Sequence, residues 1–453
     1  MISMTLLGLF GLLALFILLA LRMPVALSML GVGFVGTVIA NANQFISVGM
    51  ASEQAWARGW TIAYSNLAGE TFEAASNLNL LVIPMFVLMG TLAGVSGMSK
   101  DLFAAAYSWM GHFRGGLASA TIAACAGFAA LSGSSLASAV TMGRVALPEM
   151  KRYKYADSLA TGSVAAGGTL GFLIPPSGGM IIYAVLTEQS IGRLFMAGVF
   201  PGIILTLLFI GSIYLVVARK PEAGPCGERS GWEDRLASLG RAAPILGVVL
   251  VTIGGMYTGF FTPVEASSVG AFFTLLVALW RRSLTLKAVR DVIIQTMNAT
   301  GTVFLIIIGA FVFIPFMSMT GLPAELVTFL TALPIGDIGV LLVIILAYMF
   351  LGMFLESMAM LVLTIPVVIP IAIGLDWDLI WFGIIVVIVL EMGMISPPVG
   401  INVFIVKSIA PEVPMSQIFR GIWPFWFAMA AMIGLLILFP KIALFLPQTI
   451  VGG

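Results

Sequence analysis

The chain has 453 residues and a mass of 47.9 kDa, with 60% hydrophobic and only 9% charged residues. An ordinary soluble chain carries about 25% charged residues, so this one cannot cover a globule of its own size with polar surface. A soluble enzyme, a disordered chain and a nucleic-acid binder are disfavoured together, leaving a polytopic membrane protein.

The apolar run Leu6–Leu21 has no basic residue before it and Arg22 after it. A signal peptide needs its positive charge in front, so the run is expected to be a retained transmembrane helix. Pro24–Ala40 and Asn79–Gly97 are further spans of about 20 mostly apolar residues, with the moderately polar Gln44–Asn77 between them expected at the interface. Ser99–Arg114 is expected to lie along the membrane surface. Residues 116–150 read as a hairpin, two apolar arms joined at Ser132-Gly133-Ser134-Ser135. Residues 155–189 read as a helix broken at Ile174-Pro175-Pro176-Ser177-Gly178. Leu194–Ala218 is the next span, and residues 219–241, with Pro221, Pro225 and several charges, are expected to form an aqueous linker loop. Spans follow at Pro244–Tyr257, Val264–Trp280 and Thr300–Met319, with a surface helix at Pro323–Leu333. A second hairpin over 336–372 turns at Glu356-Ser357, a second broken helix over 378–407 is interrupted at Ser396-Pro397-Pro398-Val399-Gly400, and a last helix spans 420–446.

The two halves, 1–218 and 242–453, repeat one another. Gly171 to Gly178 and Gly393 to Gly400 both read GxxxPPxG, 222 residues apart. The same offset equates Ser135 with Ser357 and Pro148 with Pro370, and PVxxSxxG recurs at Pro24 and Pro263. Charge sets the orientation, because Lys and Arg concentrate in cytoplasmic loops. With the N-terminus in the periplasm and both hairpins returning to their own side, only Arg58, Arg193 and Lys441 of the 21 Lys and Arg fall outside. The first hairpin then opens from the cytoplasm and the second from the periplasm, which makes the halves inverted repeats.

Irregular backbone survives at membrane depth only where it lines an enclosed cavity. Pro175-Pro176 and Pro397-Pro398 break their helices and leave unpaired carbonyls on one side and unpaired amides on the other. The carbonyls suit a cation such as sodium, and the positive amide end suits an anion. Two repeat-related breaks beside Ser-bearing tips favour a binding site over packing kinks. Glu356 could couple to an ion or proton, or could hydrogen-bond the opposite arm; for Glu265 and Glu391 a structural role is expected, and for Arg144 a snorkelling one. His112 is the lone histidine, and Cys125 and Cys226 have no metal-ligand spacing, so no metal site other than sodium and no disulfide framework are expected. No GxxxxGK[ST] stretch for ATP is present, and no organic cofactor is expected.

Ile83-Pro84-Met85-Phe86, Ala129 to Met150 around the first tip, Gly171 to Gly178, Glu356-Ser357 and Gly393 to Gly400 resemble the large membrane subunit of the tripartite ATP-independent periplasmic (TRAP) transporters. The resemblance spans essentially the whole chain and keeps the order of its elements; the long, charged 219–241 segment departs from it. It implies an all-α polytopic fold of the ion-transporter-superfamily type, an inverted repeat working as an elevator in the bacterial inner membrane. It implies sodium-coupled symport of small organic anions, with two sodium sites, one per repeat: a first at Ser132, Ser135, Gly171, Ile174 and Pro176, and a second at Glu356, Ser357, Gly393, Ser396 and Pro398. Gly133, Ser134, Ser177, Gly178, Gly400 and Asn402 would line the substrate path. It also implies two partners, a small four-helix membrane subunit and a periplasmic substrate-binding protein. Other readings are a stand-alone sodium/dicarboxylate carrier, a channel, and an intramembrane enzyme, the last disfavoured because no histidine lies near Ser132–Ser135 and no Ser/Lys pair lies at membrane depth.

Overall fold

A computed structural model describes residues 3–449, and all the regular structure among them is helical. Among the described residues, nine helical stretches are long and apolar enough to cross a membrane. The first hairpin has arms Gly116–Ser132 and Ser135–Arg152, and the second has arms Gly336–Gly352 and Ser357–Gly374. The first broken helix runs Asp157–Leu173 and resumes at Gly178–Leu186; the second runs Leu379–Met394 and resumes at Ile401–Ile409. Helix starts therefore keep the offset of the sequence repeat to within a residue across the second hairpin arm and both parts of the broken helix.

The chain forms two compact units, and neither is one half of the sequence. The first holds residues up to Leu80, Asn298–Ile344 and Met358–Leu379. Within it the helices Met4–Ala20 and Val25–Ser47 lie against the long helix Leu286–Thr320, the Phe316 ring filling the space left by Gly11 and Gly36. Small residues at such crossings let helices approach where lipid gives no hydrophobic drive for association. The segment expected at the interface contains the helix Ser52–Ser76, where Trp60 and Tyr64 pack with Phe34 in a mostly exposed aromatic cluster. Such a cluster suits the headgroup level.

The second unit holds Leu81–Met297, Ile345–Ser357 and Ile380–Gly453, and so contains both tips and both breaks. Its core is the pair of broken helices. Nearly every residue of Asp157–Leu173 and of Leu379–Met394 is buried, as expected of helices apolar all round. The surface helix Met98–Met110 is held by an ion pair from Asp101 to Arg281, at the end of the span Pro263–Trp280.

Two segments differ from expectation. Residues 219–241 are not a free loop: the helix Trp232–Tyr257 begins inside them, with Glu233 and Asp234 in its first turn, where the positive helix end favours carboxylates. The remaining stretch is strapped down. Gly224 and Ala223 carbonyls accept from Gly115 and Ala156 amides, and the Tyr155 hydroxyl donates to Pro225 O at 2.9 Å while accepting from Leu117 N at 3.1 Å. Arg235 lies over both the Trp109 and Trp232 rings. The last helix also ends early. Met415–Leu438 stops before Phe439-Pro440, and a separate helix, Lys441–Thr449, follows, because Pro440 has no amide to continue the ladder.

Cys226 is exposed on the strapped linker and Cys125 is buried, so the native chain carries its own topology probe. We expect an impermeant maleimide to label Cys226 in inside-out vesicles and not from the periplasmic side of intact cells. Periplasmic labelling would overturn the orientation read from the basic residues.

Candidate functional site

The first tip is a close chain reversal. Gly133 ends the first arm at φ +58, a left-handed conformation that costs an L-residue about 1–2 kcal/mol. Ser134 caps the second arm, its hydroxyl accepting from Ala137 N, and Ser132 Oγ meets Ser138 Oγ at 2.9 Å. The tip is bonded directly to the first break: the Gly178 amide donates to the Gly133 carbonyl at 3.1 Å. A Cβ on Gly133 would stand 2.8 Å from Pro176 O, and one on Gly171 would stand 2.5 Å from Ser134 O. Real Cβ atoms do not approach so closely, so the glycines are what let tip and break touch. Ser132, Gly133, Ser134, Ser135, Gly171, Pro176 and Gly178 are therefore brought together. Ile174 ends its helix with an extended backbone. Ser177, expected to line the substrate path, is fully buried instead; its hydroxyl donates to Phe172 O at 2.5 Å and caps the resumed helix at Met180 N. Its chemistry is used up in shaping the break.

The second tip repeats this contact. The Gly400 amide donates to the Met353 carbonyl at 3.3 Å. Gly352 and Gly393 cross with no side chain between them; a Cβ on Gly393 would stand 2.8 Å from Gly352 Cα. Ser396 is buried, donating to Met392 O at 2.6 Å and accepting from Trp426 Nε1 at 3.1 Å. Both Pro175-Pro176 and Pro397-Pro398 peptide bonds are cis. The breaks differ in access: Pro175 and Pro176 are buried, whereas Pro397 and Pro398 are exposed. Glu356 is half-buried beside the second tip. Asn402, in the first turn after the second break, is fully buried, and neither end of its amide has a hydrogen-bond partner.

The residue that sequence reasoning passed over is Glu391, which was expected to be structural. It is 1% exposed, and its Oε1 accepts from Ser357 Oγ at 2.9 Å. The Ser357 hydroxyl also lies against Met394 Sδ, and Glu391 Oε2 has no partner within hydrogen-bond distance. A glutamate two residues ahead of Gly393 in an otherwise apolar helix was the available signal. By contrast Glu265 does serve structure, forming a capping box with Thr262 at the start of Pro263–Trp280.

Two hairpin tips bonded to two broken helices, with nine candidate spans among the described residues, define a multi-pass membrane permease. The fold is similar to that of the YdaH transporter of Alcanivorax borkumensis, with a TM-score of 0.61 at 15% identity over 85% of this chain and 90% of that one. It is also similar to MtrF of Neisseria gonorrhoeae, with a TM-score of 0.52 at 14% identity over 84% of each chain. The chain belongs to the family described as the tripartite ATP-independent periplasmic transporter, DctM component, whose model matches residues 12–442. It is 35% identical over 384 residues to the C4-dicarboxylate TRAP transporter large permease of Pseudomonas aeruginosa, covering 84% of this chain and 89% of that one. It is 31% identical to the sialic acid large permease of Vibrio cholerae, over 95% of this chain and 96% of that one. It is 32% identical to the ectoine/5-hydroxyectoine large permease of Ruegeria pomeroyi, over 81% and 86%. These relatives are permease subunits and not enzymes.

Bulk at the first tip separates these contacts from mere chain connectivity. We expect Gly133→Val to abolish transport while the protein still inserts at near-native abundance, because the added carbons collide with Pro176 O and strain a left-handed residue. Gly133→Ala should leave a few per cent of native uptake. Full activity of the Val variant in reconstituted vesicles would show that the tip need not touch the break.

Proposed function

We propose that this chain is the membrane-spanning carrier of a sodium-coupled importer of small organic anions, receiving its substrate from a periplasmic binding protein and working beside a small four-helix membrane subunit. The reading rests on one observation: both tips and both breaks fall in one compact unit, and each tip is main-chain bonded to its break. In an elevator mechanism that body would carry substrate and ions together. Membership of a tripartite family supports the two partners.

The first sodium site would draw on Ser132 and Ser135 with carbonyls around Gly171, Ile174 and Pro176, and the second on Ser357 with carbonyls around Gly393, Ser396 and Pro398, Glu356 lying nearby. Broken helices release carbonyls of the kind that ligate a hard cation. Asn402 offers one donor group and one acceptor that the protein leaves unpaired, which suits a polar substrate lying against the second break. The chain would lie in the bacterial inner membrane with its N-terminus in the periplasm, as the basic residues suggest. The relatives named for dicarboxylate, sialic acid and ectoine transport leave the individual substrate to the binding protein's selection.

Uptake by proteoliposomes holding this chain, the small subunit and a loaded binding protein tests the reading. We expect uptake to follow an inward sodium gradient, to ignore ATP, and to stop when the binding protein is omitted. Equal uptake with and without the sodium gradient would sink the coupling scheme. A requirement for a proton gradient instead would shift attention to Glu356. In the same assay Ser135→Ala should raise half-saturating sodium several-fold, with a smaller effect on the maximal rate, since one cation ligand is lost and the moving body is intact. An unshifted titration would remove Ser135 from the ligand set.

A further inference from the structure

The second arm of the first hairpin, Ser135–Arg152, has an uncovered face that is unlike a lipid face. A helix lying against hydrocarbon shows large apolar side chains, as Ile191–Arg219 does with Ile203, Leu207 and Leu215. On the hairpin arm every large apolar side chain is buried or half-buried. Before its charged end the arm exposes Ala137, Arg144 and Pro148, with Thr141 half-buried among them. Spacings of four, three and four residues put these positions on one stripe. Arg144 stands nine residues into the arm, about 13 Å along it from Ser135 and about 12 Å short of Arg152. Next to it Gly143 seats the arm on the helix that resumes after the second break, since a Cβ there would stand 2.9 Å from Ile409 Cδ1. The arm's rotation, and with it the stripe, is therefore fixed by close packing. The charge of Arg144 is uncompensated: the ion pairs among the described residues use Lys151, Arg152 and Arg281. Nearby Lys407 is tied to the Pro411 and Val413 carbonyls. A cation at membrane depth with no partner faces water rather than lipid.

We propose that this stripe lines an aqueous path between the first tip and the membrane face that bears Cys226, and that Arg144 draws the transported organic anion along it. The inference rests on the organic-anion reading above and is independent of its sodium scheme. The path ends on the side of Cys226 because Tyr155, three residues beyond the arm, is bonded to the Pro225 carbonyl, and Cys226 is exposed beside it. An anion leaving the tip loses its protein partners before it reaches bulk water. A fixed cation partway along raises the local concentration of anions and lowers that of cations. Arginine keeps its charge at any pH the cell meets, so the path selects by sign of charge and does so without a tight site that would trap the cargo.

Charged thiol reagents read the path without any cargo. Cys125 is buried, so in a Cys226→Ser chain the variants Thr141→Cys and Ala137→Cys each present one reactive thiol. Each is treated with a negatively and a positively charged impermeant methanethiosulfonate, in vesicles of the orientation that exposes the native Cys226. Both cysteines should react, the anionic reagent being favoured. Adding Arg144→Gln should lower the anionic-to-cationic rate ratio at Thr141→Cys by about fivefold, as expected of charges about 5–6 Å apart in a watery setting. The drop should be smaller at the more distant Ala137→Cys, and Arg144→Lys should keep the native ratio. Cysteines that react with neither reagent mark a face covered by lipid or protein and overturn the path. A ratio that Arg144→Gln leaves unmoved overturns the role of the arginine. If one cysteine variant does not reach the membrane, the other decides alone. In the reconstituted complex Arg144→Gln should lower maximal uptake several-fold, with little change in the concentration of loaded binding protein that gives half-maximal uptake. Failure of the native complex to take up any organic anion would sink the carrier reading, whereas the labelling result concerns the path alone.

Discussion

The arrangement of this permease subunit follows from the rule that main-chain polar groups cannot be left bare in hydrocarbon. The helices that form the core of the second unit are interrupted, and each interruption frees amides and carbonyls. The chain answers locally. Gly133 O takes the Gly178 amide and Met353 O takes the Gly400 amide, so each hairpin tip satisfies an amide at the start of the segment that resumes beyond the break. A tip without its break, or a break without its tip, would leave these groups unpaired. The hairpins and broken helices are therefore one device used twice. The remaining freed carbonyls are the groups on which the proposed sodium sites would draw.

Much of this was legible in the sequence because it is written in Gly, Ser and Pro. Gly133 is the only glycine in its tip, and Pro175-Pro176 and Pro397-Pro398 mark the interruptions, so the helices end within a few residues of where those letters stand. Side-chain roles were less legible. Ser177 reads like Ser132 or Ser134 in sequence, yet its hydroxyl turns onto Phe172 O and Met180 N. Glu391 and Glu265 are both lone acids in apolar helices. What distinguishes them is a threonine three residues before Glu265 and a serine, Ser357, brought to Glu391 from a distant tip. The first is local in sequence and the second depends on the fold. The linker failed for a related reason. Its prolines and charges look like solvent-exposed chain, but its straps come from Gly115, Leu117, Tyr155 and Ala156, far upstream.

The two halves are similar in backbone and unlike in environment. The first break is enclosed and the second has its prolines exposed. The first broken helix is rich in glycine and alanine, whereas the second is built from isoleucine, valine and leucine around a single acid. Contact also cuts across the repeat, since Met358–Leu379 joins the first unit while the tip residue Ser357 stays in the second.

The crossing of Gly352 with Gly393 carries a consequence for how such a protein can change over time. Its contact surface is main chain, so the position of the second break does not depend on which apolar side chains surround it. Neighbouring positions can drift, and a pocket can be reshaped for a different cargo, without disturbing the point where arm and break meet. Relatives that retain about a third of these residues and bear the names of dicarboxylate, sialic acid and ectoine permeases are what such a side-chain-independent anchor would allow. The freedom has a narrow boundary: any side chain placed at either glycine would wedge the two backbones apart.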